Sequence, residues 1–330
     1  MSAGSGLTKG GCRARQSAAV DVDGDGQLDL FETCEGEAPR IFRQQSRGRF
    51  TNLPSPDSVG TTYRWAELGG PRPSLLAAEP RGTKVWSYTS TGWKLQQSVH
   101  DNARKGQVAQ YALNDYDNDG DLDVLAVSRS GNTLLNNSRG LLEKVPLKGT
   151  GIPLRSVAAS FVDYDNDGRI DLDLIPQGLL HGLGDTRFKS VRRLRTAPSG
   201  AGITNWFDYD NDGLRDPVIV TGNAEFAQEM TVTRSRNLGP GGHWLEVNLH
   251  GQGGNREAIG ARVAIRSGNH HLYGWVGQSD DSHHSQGHYR LYFGLGGHAQ
   301  VGEMIVKWPN GNSTRFGAFP ADQVVDINQP

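Results

Sequence analysis

No stretch of this chain approaches the roughly 18 consecutive apolar residues that a membrane helix requires, so a helical membrane span is excluded. The opening MSAGSGLTKGGCRAR has no apolar core, and as written it is not a secretory signal. There is little net charge: −2 at neutral pH, with 21% charged residues of both signs mixed along the chain. That balance argues against a nucleic-acid-binding surface and against an acidic tail. Aromatic residues are scarce at 8%, whereas 44 glycines and 15 prolines imply many turns between short strands. No G-x-S-x-G elbow, no glycine-rich phosphate loop ahead of a helix and no paired-glutamate constellation is present. Cysteine is limited to Cys12 and Cys34. They flank a loop centred near Asp23, so two strands folding back around it would bring the thiols together; a disulfide and two buried free thiols are both open at this point.

The loop between them, DVDGDGQLDLFE from Asp21 to Glu32, matches an EF-hand calcium loop at its ligand positions. Its carboxylate ladder recurs as DYDNDGDLD from Asp115, DYDNDGRID from Asp163 and DYDNDGLRD from Asp208. Position 12, a bidentate glutamate in an EF-hand, is Glu32 in the first copy but Ala126, Leu174 and Ile219 in the others. The segment after each loop is short and rich in Val, Ile and Leu, which predicts strands rather than EF-hand helices. Glu32 is therefore read as coincidence.

The spacing keeps its meaning between strands. Calcium takes six to eight oxygens, alternate aspartates in a tight loop supply them, and glycine at position 6 allows the sharp turn. The expected ligands are Asp21, Asp23, Asp25 and Asp29; Asp115, Asp117, Asp119 and Asp123; Asp163, Asp165, Asp167 and Asp171; and Asp208, Asp210, Asp212 and Asp216. Backbone carbonyls at position 7, from Gln27, Asp121, Arg169 and Leu214, would add one oxygen each. The sequence thus predicts about four Ca²⁺ per chain, which would make the loaded protein mildly basic. Millimolar calcium suits such loops, which favours an extracellular or periplasmic location.

Each ladder opens a larger unit. In the first, the ladder leads into PRIFRQQSRGRFTNL, with a strand at Ile41 and Phe42, a turn at Ser46 to Gly48 and a return strand through Phe50; NTLLNNSRGLLEKV and GLLHGLGDTRFKSV play that part in later units. A unit from Arg64 has the same skeleton without carboxylates, continuing into TKVWSYTSTGWKL. Units begin at 21, 65, 115, 163 and 208, and intervals of 44 to 50 residues are the period of a four-stranded propeller blade. Five units are recognisable. The ring can be drawn as five blades, as seven with two unrecognised, or as part of a longer propeller, and an open ring would leave sheet edges to be covered.

The D-x-D-x-D-G-x-x-D ladder followed by a strand, a turn and G-x-F resembles the FG-GAP or VCBS repeats of integrin-α-like β-propellers. Beyond about Arg236 the ladder disappears, eight of the ten histidines gather, and alternating strands run through HWLEVNLHG, ARVAIRSG, HLYGWVG, HYRLYFGLG and EMIVKWPNG. The segments NLGPGGHWLEVNLHG, Asn255 to Val263, Phe293 to Gly296 and Val306 to Gly311 resemble the ASPIC/UnbV domain. Together the two resemble the cartilage acidic protein family and its bacterial relatives. The resemblance implies an all-β chain: a tail over 1–11, a β-propeller of four-stranded blades over 12–237 and a small β-sandwich-like domain over 238–330. It implies turn and bulge roles for Gly260, Gly294 and Gly296, core positions for Trp244 and Trp308, and a departure from relatives at Ser279 to Gln286.

His283, His284 and His288, with His270 and His271 nearby, are expected to be exposed polar residues, because neighbours on a strand face opposite ways. Sequons at Asn136 and Asn312 matter only in a eukaryotic secretory setting. Function is expected to be that of a non-enzymatic, calcium-stabilised binding or adhesion module for a protein or glycan partner. The alternative is a calcium-dependent propeller enzyme that forms bonds or cyclises a product, with its pocket at the propeller mouth.

Overall fold

The structure is a computed structural model that describes residues 5–7, 12–100, 102, 108–191, 202–222, 231–279, 286 and 288–330. Among the described residues there is no helix, and therefore none long and apolar enough to cross a membrane. The first sheet is β1 (Ala14–Val20), β2 (Asp29–Cys34), β3 (Arg40–Ser46) and β4 (Arg49–Leu53). The second is β5 (Tyr63–Ala66), β6 (Ser74–Glu79), β7 (Gly82–Thr89) and β8 (Gly92–Val99). The third is β9 (Gln110–Asn114), β10 (Asp123–Val127), β11 (Thr133–Ser138) and β12 (Leu141–Val145). The fourth is β13 (Ala158–Val162), β14 (Asp171–Ile175), β15 (Gly178–Gly182) and β16 (Phe188–Ser190). The fifth shows β17 (Gly202–Phe207), β18 (Asp216–Thr221) and β19 (Thr231–Arg234). Each of these five sheets is an antiparallel meander in chain order, and the four-stranded units are those expected from the repeat. Glu32 lies within β2, opposite Ser17 and Arg40, with no helix after the first loop.

Apolar residues follow this layout. Strands β9, β10, β13 and β14 are buried at every position, because sheets pack against both of their faces. The last strands of the blades are largely exposed, as in β4 and β12. Cores form between successive sheets: Phe31, Ile41, Trp65 and Leu75 join the first to the second; Leu76, Leu113 and Val124 join the second to the third; and Leu125, Phe161 and Leu174 join the third to the fourth. Ala158, Ile175 and Ile219, with Val162, Leu179 and Trp206, join the fourth to the fifth. First strands β5, β9, β13 and β17 lie side by side in that order, so the sheets radiate as blades do.

The remaining strands are β20 (His243–His250), β21 (Arg262–Ser267), β22 (His270–Trp275), β23 (Leu291–Gly296), β24 (Gln300–Val301), β25 (Glu303–Lys307), β26 (Ser313–Phe316), β27 (Phe319–Pro320) and β28 (Gln323–Asn328). One sheet runs β23-β20-β28, with β20 and β28 parallel, and a second runs β22-β21-β25-β26. Their inner faces share one core around Val247, Val263, Phe293, Val306 and Trp308, which is a sandwich arrangement. Trp308 is core as expected, whereas Trp244 is only half-buried and stands outside it.

Cys12 and Cys34 are disulfide-bonded, with Cα atoms 5.6 Å apart, because antiparallel pairing sets Ala14 opposite Cys34. The terminal blades are less buried on their first strands than the middle ones. The sandwich reaches both of them. Gln286 receives the Ala19 N–H of β1 at 3.0 Å and donates to its carbonyl, and His288 bonds Asn205 of β17 at 3.2 Å. Arg64 of β5 donates to the Gln278 carbonyl at 2.9 Å and to that of Gln286 at 3.4 Å.

Truncating Phe161, which is 2% exposed between two blades, is expected to cost about 3–5 kcal/mol. Leu141→Ala, at a position 51% exposed, should cost less than about 0.5 kcal/mol. Urea unfolding of both variants measures the difference, and equal losses would contradict the blade packing.

Candidate metal centre

All four carboxylate ladders connect the first and second strands of a blade, and they share one hydrogen-bond scheme. The position-1 aspartates Asp21, Asp115, Asp163 and Asp208 accept the N–H groups of positions 5 and 6 at 2.7–3.2 Å. Those at position 5, Asp25, Asp119, Asp167 and Asp212, accept the N–H of Gln27, Asp121, Arg169 and Leu214 at 2.8–2.9 Å. Positions 4 and 6 both have positive φ, for example Gly24 and Gly26 at 73° and 83°, and Asn118 and Gly120 at 57° and 94°. Asparagine is the side chain that best tolerates this region after glycine, which explains DYDNDG in the later copies.

Position 9 does more than complete a ligand ring. Asp29, Asp123, Asp171 and Asp216 are fully buried. One oxygen of each accepts the N–H of position 2, from Val22, Tyr116, Tyr164 or Tyr209. The other accepts an N–H from the third strand or its continuation: Gln44 at 2.8 Å, Asn137 at 2.8 Å, Gly182 at 2.7 Å and Asn237 at 2.6 Å. Each position-9 carboxylate therefore bolts its loop to the blade behind it.

Position 3 is the least committed to backbone. The Oδ1 atoms of Asp23 and Asp165 are buried without a hydrogen-bond partner, an expensive condition for a carboxylate oxygen unless another ligand completes it. Carboxylate oxygens of Asp21, Asp23 and Asp29, of Asp115, Asp117 and Asp123, and of Asp163, Asp165 and Asp171 lie within 4.8 Å of one another. Oxygens ligating one ion at about 2.3–2.6 Å lie no more than about 5 Å apart. An all-oxygen donor set at that spacing fits a hard divalent cation.

Electrostatics point the same way. Burial pushes Asp115 up to about 8, with Asp117 and Asp119 adding repulsion. Burial likewise pushes Asp123 up to about 9 and Asp29 to about 7. Asp171 rises to about 6 through burial, held down in part by His181 beside it.

The loops touch one another and the sandwich. Asn118 donates to the Gly168 carbonyl of the next loop at 3.0 Å, and Asn166 donates to that of Gly213 at 2.7 Å. Arg262 of β21 donates to the Gly120 carbonyl at 2.6 Å, and Gly296 donates to that of Asn166 at 2.8 Å. A Cβ at Gly294 would collide with the Asp163 carboxylate, and one at Gly213 with the Trp244 ring. Gly294 and Gly296 flank the bulge expected there, where β23 shifts register against β20, and close approach to Asp163 adds a second demand at Gly294; Gly260 and Gly296 have positive φ. Trp244, expected in the core, instead covers the fourth loop.

Residues 251–330 match the family model for ASPIC and UnbV, and residues 115–172 match that for an FG-GAP-like repeat. The chain carries FG-GAP-like repeats followed by an ASPIC/UnbV domain. No curated protein sequence matches it. Among solved structures it is similar to an Agrocybe aegerita lectin described as recognising non-reducing terminal N-acetylglucosamine, at 16% identity and TM-score 0.46 over 69% of this chain and 68% of that one. It is also similar to the V. cholerae biofilm matrix protein Bap1, at 13% identity and TM-score 0.46 over 94% of this chain and 61% of that one. The lectin BP39L from Burkholderia pseudomallei aligns at 13% identity and TM-score 0.48, over 94% of this chain and 96% of that one.

Where the ASPIC/UnbV domain meets the second blade, which has no ladder, a cleft of about 430 Å³ opens. Glu67, Pro71, Arg139, Arg262, Gln278 and Lys307 line it together with Asp21 and Asp121 of the first and second loops. Arg262 is held over Tyr273 and Trp275, 4.6 and 5.1 Å from the ring centres. Burial pushes Glu67 up to about 7 despite the attraction of Lys307.

The histidines do not behave as a group. His270 faces His298 with ring centres 5.4 Å apart, His271 is exposed and His288 is docked on β17. His283 and His284 lie outside the described residues. Of the two sequons, Asn312 is exposed, whereas the Asn136 amide is already bonded to Asp117 at 2.7 Å.

Asp115 and Asp123 ionise near 4 when unfolded and near 8 and 9 when folded. The native state therefore holds protons that the unfolded chain has released, and stability falls as pH rises between those values. In metal-free buffer the melting temperature is expected to decrease from about pH 4 to about pH 9. A melting temperature that rises over this range would contradict the burial of these ladders.

Proposed function

We propose that this protein is a calcium-stabilised binding module of extracellular or periplasmic type that recognises a protein or glycan partner without catalysing a reaction. The observation that carries the calcium reading is the convergence of buried aspartate oxygens in the ladders, two of them orphaned at Asp23 and Asp165. Calcium bound there would neutralise carboxylates that otherwise repel one another, and so brace the first hairpin of four blades. The Asp side chains at positions 1, 3, 5 and 9 would hold it, with carbonyls of Gln27, Asp121, Arg169 and Leu214 as further donors. The Cys12–Cys34 disulfide supports an oxidising compartment.

The partner site that suits this reading is the cleft at the second blade. Its walls come from two domains, and its polar lining carries both signs of charge on side chains held by packing, such as Arg262 on Tyr273 and Trp275. Such a surface favours a partner rich in hydroxyl or amide groups. Calcium in the first and second loops would fix the cleft's edges at Asp21 and Asp121.

One observation favours the enzyme reading. Glu67 has its pKa raised to about 7 and faces the cleft, and a carboxyl poised near neutrality is suited to proton transfer. Its place is the seam between two domains rather than the propeller mouth.

Metal analysis at saturating calcium is expected to find about four Ca²⁺ per chain, and chelation should lower the melting temperature by at least ~5 °C. Labelled protein on a glycan and matrix-protein array should give signals in calcium that fall on chelation and in Arg262→Ala, but persist in Glu67→Gln. Metal-free protein with unchanged melting would overturn the calcium reading, and array signals unaffected by chelation would overturn the coupling of calcium to the cleft.

A further inference from the structure

Each ladder is faced by a third-strand side chain that the aspartate spacing does not reveal, and in the third loop Arg169 of the ladder itself also pairs with Asp167. The third-strand residues donating to position 9 are Gln44, Asn137, Gly182 and Asn237. The residues just before them are Arg43, Asn136, His181 and Arg236, and all four reach over the mouth of their own loop. Arg43 pairs through Nε with Asp23 and through Nη2 with Asp25 at 3.3 Å. Arg236 does the same in the fourth loop, with Nε 2.6 Å from Asp210 and Nη2 2.9 Å from Asp212. Asn136 donates to Asp117 at 2.7 Å. His181 stands with Nδ1 3.1 Å from Asp171 and 3.6 Å from Asp165, and Nε2 3.6 Å from Asp167.

We propose that this third-strand residue determines which cation each loop accepts, so that the four ladders are not equivalent. The inference rests on the reading of the ladders as cation sites. In the second loop Asn136 is neutral and its amide oxygen can turn towards an ion, which leaves a full calcium-type site. In the first and fourth loops a guanidinium engages the position-3 and position-5 carboxylates. It is permanently charged and has no lone pair to ligate a metal. It therefore supplies a tethered positive charge that a divalent ion must displace, and these two loops bind calcium more weakly.

The third loop is of another kind. The Nδ1 of His181 lies 3.1 Å from the Asp171 carboxylate, and beside it Oδ1 of Asp165 is buried without a hydrogen-bond partner. A nitrogen 3.1 and 3.6 Å from two carboxylate oxygens has the spacing of neighbouring donors around an ion bound at about 2.0–2.2 Å. Imidazole suits zinc and cobalt, whereas calcium takes oxygen. This loop is assigned a preference for a borderline transition cation over calcium, held by His181 with Asp165 and Asp167, whose ligand atoms lie within 4.8 Å of one another.

The test uses the full chain stripped of metal, titrated with Ca²⁺ by calorimetry and with Co²⁺ by visible d–d absorption. The variants are Arg43→Asn with Arg236→Asn, and His181→Asn, which place the second loop's residue in the other loops. The wild type is expected to show one tight Ca²⁺ site, and the double arginine variant two further sites tightened about tenfold or more. Co²⁺ should produce a nitrogen-containing spectrum that His181→Asn abolishes, while the weak Ca²⁺ binding at that loop tightens. Circular dichroism checks that each variant is folded. Four equal Ca²⁺ sites in the wild type, unchanged by these substitutions, would overturn the inference and leave the ladder reading standing. No binding of either ion by the wild type would remove both.

Discussion

Buried carboxylates that repel one another are the constraint on which the rest of this molecule depends. A position-9 aspartate such as Asp123 is wholly buried, and it holds that place by joining the loop to the third strand through two backbone N–H groups. The same loop then presses Asp115 and Asp117 towards it. Hydrogen bonds hold the geometry, but they do not remove the like charge. A cation in the loop resolves that conflict, and on the proposed reading it turns four self-repelling hairpins into the stiffest parts of their blades.

The placement of these loops extends their influence. Asn118 and Asn166 link the second, third and fourth loops in sequence, and Arg262, Gly242, Gly294 and Gly296 bring the ASPIC/UnbV domain onto them with no room for a Cβ at Gly242 or Gly294. That domain also contacts the first strands of both terminal blades through Gln286 and His288. It occupies positions where an open ring would otherwise leave strand edges to solvent. The carboxylate ladders, domain docking and cover for the outer blades thus share one face of the propeller, and the cleft at the second blade lies on that face.

Much of this is legible in the sequence because its signals are local. An aspartate every second residue with glycine at position 6 is a chemical pattern, and a unit repeating at intervals of 44 to 50 residues is a geometric one. The second blade can be recognised without carboxylates because its hairpins keep their apolar residues. The features that escape detection depend on contacts between distant segments. The residues facing the ladders lie just before positions 15, 14, 11 and 21 residues beyond the position-9 aspartate. Unequal hairpin lengths hide an equivalence that pairing makes plain. Gly294 reads as a bulge glycine, but the Asp163 carboxylate set against it is seen only in the fold, and Trp244 reads as core until it is seen over Gly213. The disulfide can be drawn either way from spacing, and only the pairing of β1 with β2 brings the two sulfurs into reach.

Diffraction from crystals grown in calcium, with anomalous data collected at long wavelength, tests the central claim most directly. The account predicts an anomalous peak inside the second-loop ladder, bounded by Asp115, Asp117, Asp119 and Asp123, with the Asp121 carbonyl as a further ligand. Ordered aspartates around water alone in that loop, at saturating calcium, would contradict it.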